Sequence, residues 1–225
     1  IRSFHIELSA SVSQQEFLKA VEEFNNNDEV DGYIIQYPVP PALNFNEALM
    51  RMNPAKDADG LHPVNLGRLV LQEAGPVPCT PAGIQAILVH YGIVVAGKEV
   101  VIIGRGPTLG RPLSLLLTTK QKGANAAVTV VHSGVKDIAY FTRRADIIIS
   151  AAGVASIVTP DMVNPGAAVI SGGISWEGKR LMPDVDESCA EVAGWITPRL
   201  GGVGPTTVAM LLRNTVLAAE ARSQS

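Results

Sequence analysis

An apolar run, Val100-Val101-Ile102-Ile103, stops abruptly at Gly104-Arg105-Gly106-Pro107-Thr108-Leu109-Gly110-Arg111. A helix-like segment, Leu109 to Thr119, follows at once. Strand, glycine turn and helix start in that order suit the binding of phosphate. Gly104 permits the tight turn, Gly106 lets a pyrophosphate approach the backbone, and Gly110 allows the helix to pack close to the sheet. Unpaired N–H groups and the dipole at the helix start favour an anion. The spacing is G-x-G-x-x-x-G, one residue longer than the usual fingerprint. On the motif alone, an ordinary strand–turn–helix corner is the competing reading.

The end of the next strand speaks to the kind of phosphate ligand. Sites that bind NAD place an acid there for the ribose 2′-hydroxyl, whereas NADP sites carry groups that tolerate a phosphate. This strand ends Val130-Val131-His132-Ser133-Gly134-Val135-Lys136, with no acid before Asp137. Ser133 can donate a hydrogen bond, and Arg105 can hold phosphate in a fork. The expected cofactor is therefore NADP. Ser133 and Arg105 are read as contacts, and His132 as a strand-end residue satisfied by backbone.

Two further stretches could do chemistry. Gly32-Tyr33-Ile34-Ile35-Gln36 reads as a short buried strand, stopped by Tyr37-Pro38-Val39-Pro40-Pro41 because proline lacks the ladder donor. Gln36 then sits at a strand's C-terminal end, where open α/β sheets keep ligands. Asn53 to Pro63 is polar and turn-rich and carries Asp57 and Asp59 with no evident packing duty. A solvated connector is the alternative for that loop.

The elements that must position these groups follow from periodicity and capping. Arg2 to Leu8 alternates as a strand would, with Phe4, Ile6 and Leu8 on one face. Ser13 and Glu16 form a capping box for a helix bearing Phe17, Leu18, Val21 and Phe24. Asn46 to Met52 predicts a short helix. Thr80 as N-cap, Pro81 at the first position and Gly92 at the stop predict another, bridging into a second domain. From Glu99 onward, strands and helices alternate. Strands are expected at Glu99–Ile103, Ala127–Val131, Asp146–Ser150, Ala167–Ile170 and, as an added one, Gly194–Thr197. Helical pieces fall at Asp137–Arg143 and Pro160–Val163 between them. Such alternation implies βαβ units and a parallel sheet. A final helix runs from Thr207 to about Arg222, with Val208, Leu211, Leu212 and Val216 on its apolar side.

Composition limits the classes. The chain has 225 residues, a net charge of −3 and 47% hydrophobic residues, a globular balance that can bury a core. Mild acidity gives no footprint for nucleic acid, and no basic run suggests a membrane surface. Cys79 and Cys189 have no metal spacing, and the four histidines are scattered, so no metal is expected. The sequence does not begin with Met, and a segment ahead of Ile1 is expected in the natural protein.

Four segments taken together carry a resemblance. They are Asp31 to Pro40, Pro54 to Gly60, Pro78-Cys79-Thr80-Pro81 followed by the glycine turn, and Gly201-Gly202-Val203-Gly204-Pro205. Over essentially the whole chain and in order, they resemble the bifunctional methylenetetrahydrofolate dehydrogenase/methenyltetrahydrofolate cyclohydrolase family. The resemblance implies an α/β protein of two domains, a Rossmann-like parallel-sheet NADP domain and an α/β folate domain, with a cleft between them. The expected division is 1–81 with the C-terminal helix 206–225, against 82–205. It implies NADP-dependent oxidation of 5,10-methylenetetrahydrofolate and hydrolysis of the product to 10-formyltetrahydrofolate. A monofunctional dehydrogenase and a non-catalytic folate- or NADP-binding protein are the alternatives.

Carried over by position, Gln36 falls on the family's catalytic-site glutamine and Asp59 on its pterin-binding aspartate. Ile35 and Tyr37 flank that glutamine, and Gly201, Gly202, Val203, Gly204 and Pro205 wall the folate site. Gly104, Arg105, Gly106, Gly110 and Ser133 fall on NADP contacts, and Ile174 lies beside the nicotinamide end. A homodimer and a cytoplasmic location are implied too, with the mitochondrial matrix left open. The family's Tyr-x-x-x-Lys helix lies upstream of the stretch that starts at Ile1. Lys19 and Lys56 do not occupy the position of its lysine. Tyr37 replaces a usual leucine, Leu200 a usual proline, and Ser171-Gly172-Gly173-Ile174 a usual Asp-Val-Gly-Ile.

Overall fold

The computed structural model describes residues 1–178 and 180–224. The chain divides into two compact units, Ile1–Val77 with Leu211–Ser225, and Pro78–Met210.

In the first unit, α1 (Gln14–Asn26) opens on the reciprocal Ser13–Glu16 capping box that its sequence predicts. Its apolar face buries Phe17 and Val21 against Val30, Tyr33, Ala48 and Met52. Helix α2 (Phe45–Arg51) is capped by the Asn44 side chain, which accepts the Glu47 N–H at 3.1 Å. A 3-10 turn at Pro54–Lys56 leads to α3 (Pro63–Leu71), which the sequence reading did not anticipate. Its cap is unusual: the His62 ring accepts the Val64 N–H.

Two expected strands of this unit do not form. Residues 2–8 join no ladder, although Phe4 and Ile6 turn inward. Residues 32–36 give one isolated parallel bridge, Tyr33 to Asp57. Alternation fixes which side chains face inward, whereas a strand also needs a hydrogen-bonding neighbour. Among the described residues these segments have none beyond that bridge. Ile34 and Gln36 are accordingly exposed rather than buried.

The second unit opens with α4 (Cys79–His90), which starts one residue before Thr80 and has no side-chain cap. The Thr80 hydroxyl instead meets that of Thr207 at 3.3 Å. Strands β1 (Glu99–Ile103), β2 (Ala127–Val131), β3 (Ile147–Ser150), β4 (Ala168–Ser171) and β7 (Trp195–Ile196) make one sheet in the order β2-β1-β3-β4-β7. All its pairings are parallel. The continuous apolar runs arise because both faces are covered. Val100 and Ile102 pack with Ile84, Leu88, Leu113 and Leu117, whereas Val101 and Ile103 pack with Val158, Val163 and Cys189. Each fully buried isoleucine contributes about 1.5–3 kcal/mol of transfer energy. Helix α5 (Gly110–Thr118) follows β1 directly, and α6 (Ala139–Thr142) is a single turn before β3. An antiparallel hairpin, β5 (Ile174–Glu177) with β6 (Arg180–Pro183), was not foreseen from sequence.

Helix α7 (Val203–Ser223) starts four residues before the expected Thr207, so Val203, Gly204 and Pro205 are its first turn and not loop. Its expected apolar side is not the buried one: Val208, Leu212 and Val216 are 56%, 47% and 43% exposed. Asn214 is buried instead, with Nδ2 donating to the carbonyls of Ala58 and Val77 at 3.0 Å each. The helix is seated by backbone carbonyls that need a donor, a demand that no apolar periodicity records. No helix among the described residues is long and apolar enough to cross a membrane.

Candidate functional site

Strand order reverses between β1 and β3, since the chain leaves β1 for β2 on one side and crosses to β3 on the other. Open parallel sheets bind ligands outside the carboxyl ends of the strands at such a point. The turn after β1 and the loop after β3 meet there. Gly104, at φ 127°, donates its N–H to the Val131 carbonyl at 2.8 Å. A Cβ on Gly104 would run into the Ala151 carbonyl, and one on Gly110 into the Gly104 carbonyl. These two glycines therefore let three pieces of backbone come together. Gly106 differs, because nothing lies within 4 Å of where its Cβ would be. Its missing side chain relieves no protein contact and leaves the backbone open to a ligand.

Register brings the next group into place. Ile103 is paired with Val131, so the residues beyond them emerge at one edge. Arg105 and Ser133 are exposed, and Arg105 Nη1 lies 3.2 Å from Nε2 of His132. The Gly134 N–H faces Nδ1 of the same ring at 3.1 Å. A neutral imidazole has one lone-pair nitrogen and one N–H. If Nδ1 accepts from Gly134, then Nε2 carries hydrogen and points it at a guanidinium. Two donors so placed would suit one anionic oxygen. Sequence reasoning treated His132 as settled by backbone and missed that its other nitrogen faces Arg105.

The loop after β3 is held by a residue that sequence reasoning also missed. Asp184 is fully buried, and its carboxylate accepts from Ser150 Oγ and from the N–H groups of Ala152, Gly153 and Val154. Ile174 starts β5 half-exposed, and its carbonyl is 3.6 Å from where a Gly153 Cβ would lie.

The first unit holds Gln36 and Asp59. The Tyr33 N–H donates to the Lys56 carbonyl at 2.9 Å and the Ala58 N–H to the Tyr33 carbonyl at 3.2 Å. The two segments run parallel there, so Gln36 and Asp59 both lie just beyond the same end of the bridge. Gln36 Nε2 donates to the Tyr37 carbonyl at 3.0 Å, and Gln36 borders a largely apolar groove of about 270 Å³ with Ile35, Val39 and Phe17. The Tyr37 ring leans on Phe45, with centroids 4.9 Å apart.

The two acids of the 53–63 loop have different surroundings. Asp57 is buried and accepts from the N–H groups of Gly60, Leu61 and His62 and from Asn65 Nδ2, at 2.8 to 3.2 Å. It does have a packing duty, which the sequence reading denied to both acids. Asp59, two residues on, is half-buried. Lys56 is also structural: its ammonium donates to the carbonyls of Phe24, Asn25 and Asn27 at 3.1, 2.9 and 2.8 Å, closing the end of α1. Burial, and then nearby Arg222, hold its pKa below the ordinary lysine value. Gly201 (φ 81°) and Gly202 precede α7 in the second unit, and Gly202 would bring a Cβ to 3.0 Å from the Pro198 carbonyl. Among the described residues, no group of three or more His, Cys, Asp or Glu side chains could hold a metal ion.

The model of the tetrahydrofolate dehydrogenase/cyclohydrolase catalytic domain matches residues 1–59, and that of the family's NAD(P)-binding domain matches residues 78–223. The chain is 72% identical over 224 residues to the bifunctional protein FolD of Syntrophotalea carbinolica, covering 77% of that protein. It is similar to the Trypanosoma brucei methylenetetrahydrofolate dehydrogenase-cyclohydrolase, solved with NADP cofactor and inhibitor. That match has 37% identity and a TM-score of 0.93, and covers 100% of this chain and 78% of the other. The Campylobacter jejuni bifunctional enzyme matches at 40% identity and a TM-score of 0.88, covering 95% of this chain and 75% of the other.

Proposed function

The chain belongs to the tetrahydrofolate dehydrogenase/cyclohydrolase family, and from that premise we propose how its own residues carry out the two reactions. The protein oxidises 5,10-methylenetetrahydrofolate with NADP and hydrolyses the methenyl product to 10-formyltetrahydrofolate. When bound, NADP accepts the hydride; the chain supplies binding, orientation and exclusion of competing reactions.

One observation carries the cofactor assignment: the Arg105 guanidinium, next in the chain to the open backbone of Gly106, meets the His132 ring at 3.2 Å. A dinucleotide with a 2′-phosphate uses both features, its pyrophosphate at Gly106 and α5, and its extra phosphate at Arg105, His132 and Ser133. In the first unit, the Asp59 carboxylate accepts the paired donors of a pterin's aminopyrimidine edge. Gln36 offers a neutral amide that orients water without titrating. Gly201 to Pro205 wall the folate, and Ile174 lies at the nicotinamide end. On this reading Gln36 and Asp59 of the first unit serve folate, as do Gly201 to Pro205 of the second, and the glycine turn of the second unit serves NADP. A homodimer through the second unit is the expected assembly, and the exposed Trp176 of the hairpin is one apolar surface it would cover. The expected location is the cytoplasm.

Mixing the enzyme with methylenetetrahydrofolate and NADP should raise absorbance at the NADPH band, and methenyl compound should then disappear without further NADP. No rise with NADP would overturn the redox assignment. A rise with no loss of methenyl compound would leave a monofunctional dehydrogenase.

A further inference from the structure

Asp184 lies on the last turn of the chain out of the β5–β6 hairpin, far in sequence from the glycine turn. It is 0% exposed. Four donors converge on its carboxylate: Ser150 Oγ at 2.7 Å, and the N–H groups of Ala152 at 2.8 Å, Gly153 at 3.1 Å and Val154 at 2.9 Å. Three successive backbone N–H groups turned to one side form an anion-holding concavity. Here the chain fills it with its own carboxylate. The loop so fixed begins at Ala151, whose N–H donates to the Ile103 carbonyl at 2.7 Å. The Ala151 carbonyl in turn lies where a Cβ on Gly104 would have to go. Asp184, loop 151–154 and the glycine turn are therefore one contact chain. A second contact ties in the other wall: a Cβ on Gly173 would fall inside the Asp184 carboxylate, and the N–H groups of Gly172 and Gly173 both donate to the Ser150 carbonyl, at 2.8 and 2.9 Å.

We propose that Asp184 is a positioning residue for the cofactor, setting the loop after β3 and the Gly173–Ile174 segment against the glycine turn so that NADP meets a formed crevice. Asp184 touches no ligand on this account and acts through backbone. Gly173 is glycine because the carboxylate occupies its side-chain space. The proposal rests on the reading that the second unit binds NADP.

The test is NADP affinity of the enzyme and its Asp184→Asn, Asp184→Ala and Gly173→Ala variants, with the NADP-independent hydrolysis of methenyltetrahydrofolate measured beside it. Asparagine can keep its oxygen at the three-donor side but turns an amide N–H toward Val154, so its effect should be the milder. Losing hydrogen bonds to a charged group predicts that Asp184→Ala weakens NADP binding about tenfold or more. Hydrolysis should change far less. Formate, a carboxylate small enough for the vacated space, should restore NADP binding to Asp184→Ala. Gly173→Ala should mimic Asp184→Ala, and the double variant should be no worse than either, because the added methyl then has room.

Wild-type affinity in Asp184→Ala overturns the proposal, as does additivity in the double variant. Equal loss of hydrolysis and NADP binding without formate rescue reduces Asp184 to a fold residue and overturns it too. If the variants fail to fold, Ser150→Ala removes one donor only and should still weaken NADP binding selectively. Wild-type enzyme that does not bind NADP at all overturns the cofactor reading itself, and is told apart by that control.

Discussion

The Arg105 guanidinium and the His132 imidazole meet at 3.2 Å across the ends of two neighbouring parallel strands, although 27 residues separate them. The register of β1 with β2 creates this meeting, and the Gly134 N–H donates to the other ring nitrogen. A guanidinium held at the ends of two strands suits an anion.

Arg105→Ala should therefore weaken NADP far more than NAD. A hydrogen bond to a charged group contributes about 1.5–3 kcal/mol, which is roughly tenfold to a hundredfold in affinity. Titration calorimetry with both dinucleotides checks this. Equal losses, or none, would remove the 2′-phosphate from Arg105.

The two acids of the 53–63 loop should separate cleanly. Asp59→Ala should weaken folate binding and leave NADP binding nearly intact. Asp57→Ala strips four buried donors of their acceptor and should cost stability, by about 3 kcal/mol or more. In the same assays Gln36→Ala should slow hydrolysis at least as much as oxidation. Selective loss of oxidation would count against an amide that orients water.

Lys56→Met should unfold at lower denaturant, by about 1–3 kcal/mol, because three carbonyls at the end of α1 lose their donor. Activity per folded molecule should persist. A catalytic lysine would show the reverse, full stability with no turnover.

His62 makes stability depend on pH. The ring is buried and accepts the Val64 N–H, so it caps α3 only when that nitrogen is unprotonated. Burial, opposed by Asp57, holds its pKa below the ordinary 6.5. The unfolded chain then binds the proton more readily. The contribution of His62 is complete above about pH 6.5 and is lost as pH falls through the lower folded value. Melting temperatures between pH 8 and pH 5 should drop for the wild type. In His62→Asn, whose side chain can still accept from Val64, the drop should be smaller.

Much of the second unit was legible in the sequence because each signal there was local. A parallel strand covered on both faces is a continuous apolar run, and Glu99–Ile103, Ala127–Val131 and the glycine turn are found within a residue or so of where they stand. The capping box at Ser13 is equally local. The first unit was harder. Residues 2–8 and 32–36 alternate like strands, but the alternation reports burial and not a ladder partner. Helix α7 misled in the same way, since a hidden asparagine and two carbonyls seat it rather than its leucines.

The sequence by itself determined the family, through the resemblance of four ordered segments, and the fold class and the glycine turn with its expected cofactor, because these rest on residue types at short spacings. Only the tertiary structure decided what Asp57, Lys56, His132 and Asp184 do. Each acts on partners that sheet register, a parallel bridge or a returning hairpin brings to it, or on backbone N–H groups that only the folded loop turns toward it. A buried polar group is defined by the donors and acceptors around it, and those neighbours exist only once the chain has folded.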